Sequence, residues 1–224
     1  MKTITPSDDE ALDLHLEENL LDKNQSLAQK NRRLLDRFGV YAVDILGSVG
    51  SGKTTLIQQM VTFLKGKLRT AAIAGDLTTT IDANRIQNAG AEVIQINTGK
   101  ECHLDANLVH RAMNHLDLKN IDLLFIENVG NLICPGEFPI GAHQRIVIVS
   151  TTEGPYMILK HPYILMDAST IVVNKIDLAQ AMDVDIQKLK ENAMGIKPDI
   201  EVIFTNARTG QGISDLIQTI RIQK

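Results

Sequence analysis

With 224 residues, 44% of them hydrophobic and 22% charged, the chain is long enough for one domain with a large core and too apolar for wholesale disorder. A net charge of −4, an aromatic content of 4% and the absence of Trp argue against nucleic acid as a partner. Two cysteines are too few for a disulfide framework. No apolar run approaches the ~20 residues of a membrane span, and no basic-then-apolar leader opens the sequence, so a cytoplasmic protein with no membrane contact is predicted.

Residues 1–38 are polar, lack Gly, and carry a doublet every seven residues: Leu20-Leu21, Leu27-Ala28, Leu34-Leu35. That spacing predicts an N-terminal helical extension whose stripe packs on its own domain or faces a partner; three repeats do not make a coiled coil. From 39 to 224 a single further domain is predicted, since no Pro/Gly/Ser-rich linker divides it. Strands are predicted at 40–46, 70–74, 92–96, 123–126, 146–150, 170–173 and 202–204. Helical patterns lie between them, near 53–65, 80–89, 104–118, 154–166, 185–194 and 212–222. Gly90 and Gly195 stand where helices would end on a left-handed residue. Strands apolar on both faces must be covered on both, so the predicted fold is α/β: a doubly wound, mostly parallel sheet of about seven strands.

After the first strand comes Gly47-Ser48-Val49-Gly50-Ser51-Gly52-Lys53-Thr54-Thr55, a full G-x-x-x-x-G-K-[ST] phosphate loop opening a helix. Its glycines permit close backbone approach, its N–H groups and helix N-terminus attract phosphate oxygens, Lys53 brings charge to the β- and γ-phosphates, and Thr54 is a Mg²⁺ ligand. A nucleoside triphosphate is the expected ligand. Asp76 and Glu127 each close a strand on the nucleotide side and are expected at Mg²⁺ with catalytic roles; a helix N-cap or a solvated strand end is the alternative for each. Gly130, in Glu127-Asn128-Val129-Gly130, is placed to sense the γ-phosphate; Asn131 rather than Gln follows it, which predicts slow hydrolysis.

Asn174-Lys175-Ile176-Asp177 follows a buried strand and resembles the N-K-x-D motif by which GTPases read guanine. The Asp177 carboxylate can accept from guanine N1–H and the 2-amino group, donors that adenine lacks. Lys175 can lie over the base, and Asn174 brace neighbouring loops. Thr205-Asn206-Ala207-Arg208 partly resembles the S-A-K loop whose backbone touches guanine.

Cys102-His103 and Cys134 lie in loops on the nucleotide edge of the sheet; thiolate and imidazole suit Zn²⁺ or Ni²⁺, while two cysteines alone are as well read as small buried residues. The segments Asn97-Thr98-Gly99-Lys100-Glu101-Cys102-His103 and Glu127-Asn128-Val129-Gly130-Asn131-Leu132-Ile133-Cys134-Pro135 resemble signatures of the HypB family, GTPases that assist nickel insertion during [NiFe]-hydrogenase maturation. The resemblance runs from about residue 38 to the C-terminus and includes Thr152-Glu153-Gly154. It implies a GTP/GDP-binding P-loop protein of the signal-recognition/MinD type, dimerising with GTP. It implies Cys102, His103 and Cys134 as the Ni²⁺ or Zn²⁺ ligands, and a nickel-delivery accessory protein and the hydrogenase large subunit as partners. Residues 1–38 hold no Cys and only His15, so the Cys-rich or His-rich nickel tract of many members is missing; Asn107, His110 and Arg111 stand where other relatives place more His. Histidines 110, 115, 143 and 161 are expected to pack or face solvent. A urease-type nickel GTPase is the nearest alternative, disfavoured because its Cys-Pro-His signature is absent; a nickel store or scaffold with little GTPase activity, and a cobalamin-enzyme chaperone, are others.

Overall fold

The structure, a computed structural model, describes residues 11–99, 102–132 and 138–222. Seven strands, β1 (Tyr41–Gly47), β2 (Thr70–Asp76), β3 (Glu92–Asn97), β4 (Leu123–Glu127), β5 (Gln144–Ser150), β6 (Thr170–Asn174) and β7 (Glu201–Thr205), form one parallel sheet in the order β3-β2-β4-β1-β5-β6-β7. The helices are α1 (Ala11–Phe38), α2 (Lys53–Leu64), α3 (Ile81–Ala89), α4 (Ala106–Met113), α5 (Met157–Lys160), α6 (Ile186–Ile196) and α7 (Ile213–Thr219). No described helix is long and apolar enough to cross a membrane.

Alternation along β1 sets the layers. Val43 and Ile45 meet Leu56 and Met60 of α2, Ile86 of α3 and Leu216 of α7 on one face. Ala42, on the other face, packs with Leu35 of α1 and with Val109 and Met113 of α4. Leu46, farther along that face, joins Ile158 and Leu189 of α5 and α6. Between Ala42 and Leu46 lies Asp44, fully buried and bound by Arg145 of β5 (Nε to Oδ2, 2.9 Å). Burial pushes its carboxyl up, against the opposing pull of Arg145.

Helix α1 buries the stripe Asn24, Ala28, Asn31 and Leu35, while Leu20 is exposed and Leu27 and Leu34 are half-buried. Its two asparagines act as clamps. Asn24 donates to Pro139 O (2.8 Å) and accepts from Ala106 N (2.8 Å). Asn31 donates to Ala106 O (2.8 Å) and Ile140 O (3.0 Å), and its Oδ1 meets His110 Nδ1 at 2.9 Å. Arg32 donates to the carbonyls of Gly141 and Ala142.

Three predicted helical stretches end differently. The 104–118 segment is helical only over Ala106–Met113, with Asp105 as N-cap accepting from Leu108 N (2.7 Å). Leu116 and Leu118 are both buried; two positions apart they would face opposite ways on one helix, and a turn lets both reach the core. The 154–166 segment splits into α5 and a 3₁₀ turn because Pro162 pushes His161 out of the helical region (φ −129°, ψ 56°). Gly195 lies inside α6, which continues to Ile196, whereas Gly90 does close α3 in the left-handed region (φ 115°).

Candidate nucleotide and metal site

The phosphate loop spans from Gly47, the last residue of β1, to Lys53, the first of α2. Gly52 caps α2 at φ 102°, and a Cβ there would lie 2.3 Å from Asn174 Nδ2, so the position demands glycine twice over. The Lys53 ammonium donates to Gly47 O (2.9 Å) and Ser48 O (3.2 Å), folding back on its own loop. Burial lowers its pKa, while the carboxylates of Glu127, Asp82, Glu153 and Asp76 resist that fall. Thr54 donates its hydroxyl to Glu127 Oε1 (2.7 Å). Glu127 is buried, and burial drives its carboxyl up to about 7 against the Thr54 hydroxyl and the Lys53 charge. Its second oxygen, Oε2, is buried with no hydrogen-bond partner. At the end of β2, Asp76 Oδ1 accepts from the amides of Thr78 and Thr79 (both 2.9 Å). Burial works against its ionisation, but those amides win and hold its carboxyl below the ordinary range.

A cavity of about 590 Å³ joins these groups, with Val49, Gly50, Thr55, Gly130 and Lys175 also on its wall. It is also lined by residues that the sequence motifs do not contain, among them Asp82 and Arg85 of α3. Arg85 donates to Thr55 Oγ1 (2.9 Å) and Gln58 Oε1 (2.8 Å) and meets Asp82 at 3.3 Å. The sequence signal for them is the i,i+3 spacing that turns both to one face of the helix after β2. A larger depression, about 670 Å³, lies between α1 and β5 against Arg32 and Asp167. It holds none of the phosphate-loop residues, and the loop chemistry decides in favour of the smaller cavity.

The Asn174–Asp177 loop is fastened to the phosphate loop by one side chain. Asn174 donates to Ser51 O (2.8 Å) and accepts from Thr205 Oγ1 (3.0 Å) and Ala207 N (3.1 Å). Thus the 174–177 and 205–207 segments meet at the phosphate loop, with Asn206 buried beside them. Lys175 takes up φ 60°, a costly conformation for a lysine, fixed by Thr151 Oγ1 donating to its carbonyl (2.7 Å). Its ammonium reaches Thr152 Oγ1 (3.3 Å), and Asp177 is exposed in the 3₁₀ turn Ile176–Leu178.

Cys102 and His103 lie in the loop from β3 to α4, Sγ to Nδ1 3.8 Å apart. The His103 ring stacks on Phe138 (centroids 4.1 Å apart). Cys134 lies outside the described residues. Among the described residues no group of three or more His, Cys, Asp or Glu is arranged to hold a metal.

A phosphate loop at the end of a central strand, with carboxylates closing the neighbouring strands, makes this a P-loop nucleotide-binding protein. Residues 41–204 match the CobW/HypB/UreG nucleotide-binding domain. The chain is 50% identical over 207 residues to the probable hydrogenase maturation factor HypB of Methanocaldococcus jannaschii, covering 92% of this chain and 94% of that one. The crystal structure of HypB from Archaeoglobus fulgidus superposes with a TM-score of 0.82 at 41% identity, over 89% of this chain and 98% of that one. That of HypB from Helicobacter pylori in complex with nickel gives 0.84 at 31% identity, over 90% and 98%. The chain belongs to the HypB family of hydrogenase maturation factors.

Proposed function

We propose that this chain hydrolyses GTP to GDP and phosphate and couples its nucleotide state to a nickel or zinc ion, assisting nickel insertion into [NiFe]-hydrogenase in the cytoplasm. The observation that carries the reading is the Asn174 side chain, which joins the guanine-reading loop to the phosphate loop so that Asp177 and Lys53 serve two ends of one nucleotide. The supporting company is the family, with a relative crystallised with nickel.

In the proposed reaction water attacks the γ-phosphorus as the bond to the β-phosphate oxygen breaks. Lys53, released from its two loop carbonyls, and the loop N–H groups stabilise the charge on the transferring group. Magnesium fits the residues present: Glu127 Oε2 is buried and unpartnered, Glu127 Oε1 is pinned to the Thr54 hydroxyl, and Asp76 stands ionised nearby on the same cavity. Thr54, Asp76 and Glu127 would hold the ion, which neutralises phosphate charge. Cys102, His103 and Cys134 are assigned to the cargo metal, and GTP favours a homodimer that presents it to a nickel-delivery protein and the hydrogenase large subunit. Phosphate release from GTP and from ATP, with bound nickel measured by equilibrium dialysis, tests this. GTP should be the substrate, and Lys53→Ala should abolish turnover. Cys102→Ala should lose metal while keeping turnover within about tenfold, under ~1.4 kcal/mol on the barrier. Equal use of ATP, or a Cys102→Ala protein as inactive as Lys53→Ala, overturns the reading.

A further inference from the structure

Between the groups assigned to the nucleotide and those assigned to the cargo metal stands one wholly buried amide, that of Asn128. It follows Glu127 directly, and its backbone N–H continues the sheet by donating to Ile45 O (3.1 Å). Its side-chain Oδ1 accepts two backbone amides: Val129 N (3.0 Å) on its own loop and Leu104 N (2.9 Å) on the loop of Cys102 and His103. Leu104 is itself fully buried and lies over Gly75, where a Cβ would come within 2.9 Å of its side chain. So the metal loop is anchored, one residue after His103, to the ends of the two strands that bear Asp76 and Glu127. On the other side, Gly130 rests on the phosphate loop: a Cβ there would lie 2.4 Å from Val49 Cγ2 and 3.1 Å from Val49 N. A phosphate bound beside Val49 would lie against this tightly packed segment, which shares the cavity wall with Val49 and is only two residues from Asn128. The rest of the amide faces Asp44: both side chains are buried, and the Asn128 amide helps hold the Asp44 carboxyl down against its burial.

From this juxtaposition we infer that Asn128 is the positioning residue through which nucleotide state reaches the cargo metal: its amide oxygen holds Leu104 N, and with it Cys102 and His103, in register with Gly130. The inference rests on the proposed function, which supplies the coupling that Asn128 would carry. The coupling runs to Cys102 and His103, the two assigned ligands that lie on a loop separate from Gly130.

The test is the Kd of Ni²⁺ and of Zn²⁺ with GDP and with a non-hydrolysable GTP analogue, at equal oligomeric state, in three proteins. Wild type should show a ratio between nucleotide states of roughly 5- to 150-fold. Asn128→Ala removes the acceptor and should bring the ratio to within about twofold of one. Asp44→Asn combined with Asn128→Asp exchanges amide and carboxylate, keeps an oxygen facing Leu104 N and the total charge beside Arg145, and should restore most of the ratio. A merely structural role for Asn128 would weaken both Kd values together and leave their ratio alone. A second reading needs no variant: in wild type, hydrogen exchange at the Leu104 amide should differ by at least about threefold between the two nucleotide states. If wild type shows no ratio, the coupling in the proposed function fails and this inference with it. A wild-type ratio that persists in Asn128→Ala overturns this inference alone. Should Asn128→Ala not fold, equal exchange at Leu104 in both states overturns it.

Discussion

Glu127 faces two opposed demands, burial at the end of β4 and the ionisation that the proposed magnesium site would need, and burial raises its carboxyl pKa. With a folded value of about 7 against an ordinary 4.5, the folded protein holds a proton that the unfolded chain has already released. Stability of the metal-free, nucleotide-free protein should therefore fall as pH rises through that window, by up to about 3 kcal/mol from this group. Asp44 and Glu153, also raised by burial, slope the same way, so the measurement is a difference: denaturation midpoints with chelator from pH 4.5 to 7.5, wild type against Glu127→Gln. The variant should lose part of the slope, and parallel curves would show that Glu127 escapes its burial. At the other end of the nucleotide, Asp177→Asn should weaken GTP binding by ~2–4 kcal/mol, since one acceptor becomes a mismatched donor. Xanthosine triphosphate, with a carbonyl where guanine has its amine, should then bind the variant better than GTP does; unchanged GTP affinity would remove Asp177 from the base. The placing of Lys53 and Thr54 on one cavity with Glu127 was legible because both sit in a contiguous motif with a fixed chemical meaning. Arg85 and Asn128 were not, because their significance lies in partners 30 and 24 residues away.

At the level of elements, α1 shows how far a seven-residue apolar repeat can be read. The repeat announces a helix with a stripe, but the stripe that reaches the body of the protein includes Asn24 and Asn31, which hydropathy alone would have turned to solvent. Buried amides are tolerable only where carbonyls and amides await them, here those of Ala106, Pro139 and Ile140. Asn31→Ala should cost ~1–3 kcal/mol in chemical denaturation, because two carbonyls lose a buried donor. Gln29→Ala, on the exposed face of the same helix, should stay within about 0.5 kcal/mol. Equal effects would mean that α1 rides on the surface without holding it. The same blindness to pairing shortened the predicted β5: Gln144 and Arg145 look like loop, yet Gln144 donates to Thr170 Oγ1 and Thr219 O (both 3.2 Å) and Arg145 binds Asp44.

Across the whole molecule the parallel sheet could be read from its apolar runs, since strands buried on both faces have little freedom to be anything else. Strand order could not, because it depends on crossovers that no local pattern records. That order has a consequence for the making of the protein. The phosphate loop hangs from β1, but β1 is flanked by β4 and β5, and the loop is braced by Asn174, 123 residues beyond Ser51. A chain emerging from the ribosome exposes the whole Gly47–Thr54 motif long before any of those braces exist, and nearly all the sheet must be assembled before the loop can be held. A nascent chain halted before Asn174 thus carries the whole phosphate-loop motif without the Asn174 brace or the last strands, and its nucleotide affinity should fall well below that of the full chain.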